Sequence, residues 1–322
     1  MNRYKLHHVT EFSYDGPVSE SFNEVRLRPL EDDRQSCLGF RLTTRPQAPV
    51  SARVDYYGNW VHQFNIQAEH RHLRVEAESV VLVHPEPVVE ERGVGLEALN
   101  GMREELEEDF YEYLAPTVYV PHLEAVRGIV EEAGRGCDGS ALGFGQLASE
   151  LVHTRFRYEK GATHVNSSIA DSLSSGAGVC QDFAHVLLAV VRMKGLPGRY
   201  VSGYLMPGKT TGPGTTIEEV IGGQASHAWM ETHIPGLGWM PLDPTYGKPV
   251  GIHHVRLAYG RDYGDVAPIR GVYKGHAGQH LSVDVLVRPA LDNEGYEQLA
   301  ETAAGPAEPP PESVPQQQQQ QQ

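Results

Sequence analysis

Three residues of this chain offer one coherent chemistry. Cys180 follows Ser174-Ser175-Gly176-Ala177-Gly178-Val179 and opens a segment with helical spacing. A helix N-terminus presents unpaired N–H groups and partial positive charge, which lower a thiol pKa and favour the thiolate. The same N–H groups suit an oxyanion. A nucleophilic Cys needs a base, and His227 in Ala225-Ser226-His227-Ala228-Trp229 is the candidate. A base needs an orienting acceptor, and Asp243 in Leu242-Asp243-Pro244-Thr245 is suited to that role. On spacing alone each has a plainer alternative: a packed Cys, a core His and an Asp-Pro turn starter.

The elements that must position these groups are legible. Phe183, Leu187, Val190 and Val191 form an apolar stripe, predicting a helix over 180–194 that stops at Gly195, ahead of Pro197. Ser226 to Ile234 and Gly238 to Leu242 read as antiparallel strands joined through Pro235-Gly236-Leu237. In alternation His227 shares a face with Trp229 and Glu231. For Asp243 to hold His227 Nδ1, both side chains must leave the sheet on one face. Directly opposite placement predicts a loop centred near Pro235, or a bulge that restores the parity.

Residues 1–84 read as β-rich, with turns at Asp15-Gly16-Pro17, Pro46 to Pro49 and Gly58-Asn59, and predict an antiparallel β-sandwich. Residues 85–95, with Pro85, Pro87, Gly93 and Gly95, read as a linker. Over 96–290, helical segments (96–114, 121–133, 146–153 and 180–194) come first and strands (199–205, 226–234, 238–242, 255–259 and 281–287) follow. That order predicts an α+β domain, not a doubly wound sheet. Residues 291–322 are Pro- and Glu-rich, end in seven glutamines, and have the composition of a disordered tail.

The chain has 322 residues, a length suited to two domains. Lys plus Arg is 27 and Asp plus Glu is 42, a net charge of −15, which argues against nucleic acid as a partner. There is no run of 18 apolar residues and no apolar h-region at the start, so neither a membrane span nor a secretory signal is expected. Three cysteines, Cys37, Cys137 and Cys180, point to a reducing cytoplasm, with Cys37 an inert strand residue. Sixteen histidines are scattered, without HExxH or CxxC, and His70 with His72 makes no metal site. Gly203 to Thr210 matches a phosphate-loop pattern, but Pro207 removes an N–H and Thr211-Gly212-Pro213-Gly214 cannot start the required helix. No cofactor or metal is expected.

Taken together, Gly178-Val179-Cys180-Gln181-Asp182-Phe183-Ala184-His185, Gly203-Tyr204-Leu205, Ala225 to Trp229, Gly238-Trp239 and Leu242 to Thr245 resemble the transglutaminase-like superfamily. The closer likeness is to its bacterial branch with an N-terminal β domain, to which Gly260-Arg261-Asp262-Tyr263 also belongs. The resemblance covers about residues 1–290. It implies a papain-like core with Cys180 as nucleophile, His227 as base and Asp243 as acid. It implies attack on a peptide or amide substrate to give a thioester, resolved by water or by an amine. Gln181 stands where animal transglutaminases have Trp, and no acidic calcium loop is visible, so calcium-activated crosslinking is not implied. Hydrolysis is the favoured expectation. An amine-accepting transglutaminase and a non-catalytic binding module are the alternatives.

Overall fold

The computed structural model describes residues 2–85, 93–163, 167–206 and 226–290. Most of the expected linker, the tail 291–322 and half of the phosphate-loop pattern lie outside these residues. The N-terminal unit begins with β1 (Asn2–Val25), β2 (Gln35–Arg45), β3 (Ser51–Val54), β4 (Trp60–Ile66) and β5 (His70–Val83). Asp15-Gly16-Pro17 does not end the first strand, as the sequence suggests, but marks a change of partners. Before it, β1 pairs with β5; after it, β1 pairs with β4, and the register with β5 shifts between Ser13 and Val18. β2 flanks β5 and β3 flanks β4, all antiparallel. One 24-residue strand therefore serves two half-sheets, which share an apolar core of Leu6, Val18, Val25, Phe64, Leu73 and Val81.

A helical layer follows: α1 (Arg103–Leu114), α2 (Arg127–Gly136), α3 (Ala141–Arg155), α4 (Ile169–Ser175) and α5 (Cys180–Lys194). Ser140 and Ser168 cap α3 and α4, their side chains accepting from Gly143 N–H and Ala170 N–H. α4 is too short to show an apolar stripe, and the sequence does not announce it. Two short strands, β6 (Arg157–Tyr158) and β7 (Ala177–Gly178), pair in parallel just before α5. The helix ends where expected, at Gly195 with φ of 90°.

The second sheet contains β8 (Gly198–Leu205), β9 (Ser226–Ile234), β10 (Gly238–Asp243), β11 (Lys248–Pro249) and β12 (His254–Gly260), in the antiparallel order β11-β10-β9-β8-β12. Ala228 and Met230 of β9 join the helical core with Leu187 and Val190 of α5. Trp229 packs on the other side, with Val201 and Tyr259. Gly203 is required there: a Cβ would stand 2.2 Å from Val255 O and 2.5 Å from the Trp229 ring.

The chain then returns. β13 (Ile269–Lys274) and β14 (Gln279–Pro289) both pair antiparallel with β1. This corrects the sequence boundary, which assigned 281–287 to the second domain. Periodicity identifies a strand but not its distant partner. The two units also lock together. Tyr204, Met206, Val255 and Leu257 enter the N-terminal core. Two buried amides cover the free edge of β12. Gln35 accepts from Arg256 N–H and donates to Arg256 O, each at 2.8 Å. Asn59 does the same with Tyr259, each at 2.7 Å. The amides thus act as fragments of a missing strand.

Candidate active site

Cys180 is the first residue of α5 and is half-buried. Its local sequence is explained by Asp182, whose carboxylate accepts from Val179 N–H at 2.8 Å and from the Thr163 hydroxyl at 2.5 Å. This pins the chain where it enters the helix. Gly178 makes room for that carboxylate, because a Cβ there would lie 2.8 Å from Asp182. His185, one turn further on, is structural. It is buried, and its Nε2 accepts from Tyr263 N–H at 3.2 Å, fixing α5 to the single helical turn Tyr263–Val266.

His227 and Asp243 occupy neighbouring strands, with His227 Nε2 2.8 Å from Asp243 Oδ2. Both are buried. The expected ring nitrogen was Nδ1, and the structure corrects this to Nε2. The register also differs. Gly238 faces Ile234 and Leu242 faces Met230, which centres the turn on Gly236. One step on, Asp243 is level with Trp229 and diagonal to His227. A two-residue offset keeps both on one face, so the parity argument survives although direct opposition does not. Thr245 N–H donates to Asp243 Oδ1 at 2.9 Å, fixing the second carboxylate oxygen.

His227 Nδ1 is buried and makes no hydrogen bond among the described residues. It belongs to the ring that lines one cleft with Cys180. Burial opposes a charge on His227, but the Asp243 carboxylate, the hydrogen bond to it and the Cys180 thiol together push the imidazole up to about 10. Burial raises Asp243, and the two charge-assisted contacts from His227 and His254 more than reverse this, holding the carboxyl well below its usual range. Trp229 stacks on His227 at 5.9 Å between ring centres and shields the pair from water.

His254 is the residue that sequence reasoning missed. It sits at the start of β12 with Nε2 3.1 Å from the same Asp243 Oδ2. The signal was an alternating strand, 254–260, beginning on a histidine. His227, Asp243 and His254 bring one donor atom each within 4.8 Å of one another. Both imidazoles aim at a single carboxylate oxygen at hydrogen-bonding distance, which is an arrangement for sharing protons rather than surrounding an ion.

The cleft that holds Cys180 and His227 has a volume of about 660 Å³. Gln181, Tyr200, Ser202, Tyr204 and Ser226 form one side, and residues of β1, β13 and β14 form the other. A larger concavity of about 1080 Å³, lined by Phe22, Pro46, Phe64 and Val272, contains none of the three expected site residues.

Two family models match the chain. Residues 4–82 match the bacterial transglutaminase-like N-terminal region, and residues 138–244 match the transglutaminase-like superfamily core. An uncharacterized protein of Mycobacterium leprae is 35% identical over 286 residues, covering 88% of this chain and 98% of its own. A protein-glutamine gamma-glutamyltransferase of Pseudomonas aeruginosa is 34% identical over 105 residues, 31% of this chain and 15% of that protein. A solved structure from Cytophaga hutchinsonii, described as a candidate cysteine protease, superposes with a TM-score of 0.68 at 20% identity. It covers 90% of this chain and 91% of that one.

Proposed function

We propose that this chain, which belongs to the transglutaminase-like superfamily, breaks an amide bond of a peptide or amide substrate through Cys180. The observation that carries the reading is the buried His227–Asp243 pair, opening onto the same cleft as a cysteine at a helix N-terminus. With His227 lifted to about 10, its imidazole carries both protons at neutral pH, and the Cys180 sulfur at the start of α5 is the nucleophile it serves. The Nε2 proton is held by Asp243 and the Nδ1 proton is free to move. Sulfur attacks the carbonyl carbon, and the tetrahedral oxyanion forms beside the first turn of α5. Collapse breaks the C–N bond as Nδ1 gives its proton to the leaving amine. The thioester remains. His227, now neutral, takes a proton from water, and hydroxide attack releases the acid and restores the thiol pair.

Water is the favoured acceptor. Amine transfer is the second reading, supported by the partial likeness to the Pseudomonas glutamyltransferase. No helix among the described residues is long and apolar enough to cross a membrane. Three free cysteines support a cytoplasmic setting.

The test is peptide-mapped alkylation against pH, followed by an amide hydrolysis screen with and without a primary amine. Cys180 should label fastest at neutral pH and Cys180→Ala should abolish turnover. Cys37 should label slowly, because burial lifts its thiol to about 11. Equal labelling of Cys37 and Cys180 would remove the catalytic reading. Product incorporating the amine would favour transfer over hydrolysis.

A further inference from the structure

Within the second wall of the cleft, β1 and β14 form a strand pair. His8, Thr10, Phe12 and Tyr14 of β1 stand opposite Val285, Val283, Leu281 and Gln279 of β14, and all eight line the cleft. The wall is tied to the catalytic sheet at its deep end. The Tyr204 hydroxyl and His8 Nδ1 are 2.7 Å apart, and His8 Nε2 lies 2.9 Å from Thr10 Oγ1. Toward the mouth it is apolar and wet: Leu281 is 57% exposed and Val283 is 42% exposed. Large apolar side chains left in water on the wall of a reactive cleft mark a surface that something covers.

The backbone of β14 says what kind of ligand fits. Its register with β1 is regular from Tyr4 opposite Pro289 to Tyr14 opposite Gln279. At one end Ala290 N–H donates to Arg3 O, and at the other Asp15 N–H donates to Gly278 O. In an antiparallel ladder the residues bonded to one partner alternate with residues whose groups point the other way. The even-numbered residues therefore bond β1. Leu281, Val283 and Val285 turn their N–H and C=O groups to the opposite edge. Among the described residues β14 pairs only with β1, so no described strand covers that edge. The same three residues present their side chains to the cleft.

We propose that β14 is the substrate-docking strand, taking an extended polypeptide segment with apolar side chains as an added strand beside Cys180. Backbone pairing to 281, 283 and 285 would supply affinity, and the apolar wall would select alternate side chains. A free small amide would leave this edge unused. The substrate class is therefore a main-chain segment, and the N-terminal unit is part of the binding site. The proposal rests on Cys180 being the nucleophile only for delivery, not for docking.

The experiment uses the full chain carrying Cys180→Ala and the peptide acetyl-Leu-Val-Gln-Val-Leu-amide at millimolar concentration. Amide hydrogen exchange should slow at Leu281, Val283 and Val285. The same peptide N-methylated at both valines should give no protection. With Cys180 intact, Leu281→Thr combined with Val283→Thr should raise KM about tenfold at unchanged kcat. Alkylation of Cys180 by iodoacetamide should stay as in the parent, showing that the site is folded. No protection on β14, or equal protection by the N-methylated peptide, overturns the proposal. Protection on β14 with no turnover by the parent chain would overturn the catalytic reading and leave docking standing.

Discussion

His254 donates to the carboxylate oxygen of Asp243 that His227 also uses. Gly251 N–H points at His254 Nδ1 from 3.3 Å, so Nδ1 is the acceptor and the proton sits on Nε2, 3.1 Å from Asp243 Oδ2. His254 is thus a neutral donor, in keeping with burial, which lowers its affinity for a second proton despite the pull of Asp243. Its role is to position Asp243 and keep it ionised. His254→Phe should cost about 1.5–3 kcal/mol of stability, the range for a hydrogen bond to a charged group. It should also displace the pH profile of Cys180 alkylation, which a purely structural change would not. His254→Gln, which keeps a donor, should recover most of both. Denaturant melts and alkylation profiles of the two variants decide it.

Gly203 should tolerate no side chain. The Cβ of Gly203→Ala would meet a backbone carbonyl and a buried indole at 2.2 and 2.5 Å. The carbonyl cannot rotate away, so the Trp229 ring must shift off His227. We expect a loss of about 1–3 kcal/mol from overpacking. Altered Trp fluorescence should accompany it. An unchanged melt and spectrum would show that the strands separate freely there.

Glu231 is fully buried among Arg34, Arg199 and Arg256. Its distances to them are 3.3, 2.5 and 3.1 Å, and the three cations reverse the effect of burial and hold the carboxyl below its usual range. Glu231→Gln would leave buried cations without their counter-charge, at a cost of about 3–5 kcal/mol. Because Arg34 comes from the N-terminal unit, the variant should also loosen the contact between units. Limited proteolysis near residue 34 should report this. Wild-type resistance would contradict it.

Stability should peak near neutral pH. Burial pushes His8 and His62 down to about 4 and His185 to about 3. The unfolded chain binds protons at these sites near 6.5, so the stability they confer is present above 6.5 and lost as pH falls toward 4. His227 acts in the other sense. Its folded value near 10 lies above the unfolded value, so its contribution is complete below 6.5 and is lost as pH rises through 10. Chemical denaturation at pH 5, 7 and 9.5 should show the middle value highest. A monotonic rise across that range would count against the charged His227.

The legible parts of the molecule were local. The α5 stripe, its Gly195 stop and the strands 226–234 and 238–242 follow from period and punctuation, and the structure has them at those bounds or within a residue. The face shared by His227 and Asp243 was also accessible, because parity depends only on alternation. The turn centre was not, since Pro235-Gly236-Leu237 admits several loops and only side-chain packing selects among them. The pairing of β14 and the role of His254 were hidden for one reason. Each acquires its meaning from a partner far away in sequence, β1 in one case and Asp243 in the other.

The pairing of β14 with β1 also has a consequence in time. A growing chain exposes Cys180, His227 and Asp243 well before residues 279–289 leave the ribosome. Until then β1 lacks a neighbour on that side, and the part of the cleft wall formed by β14 does not exist. Synthesis order thus assembles the side of the cleft that holds Cys180 and His227 before the β14 side that faces it, so the last-made strand of the sheet is the one that completes the cleft.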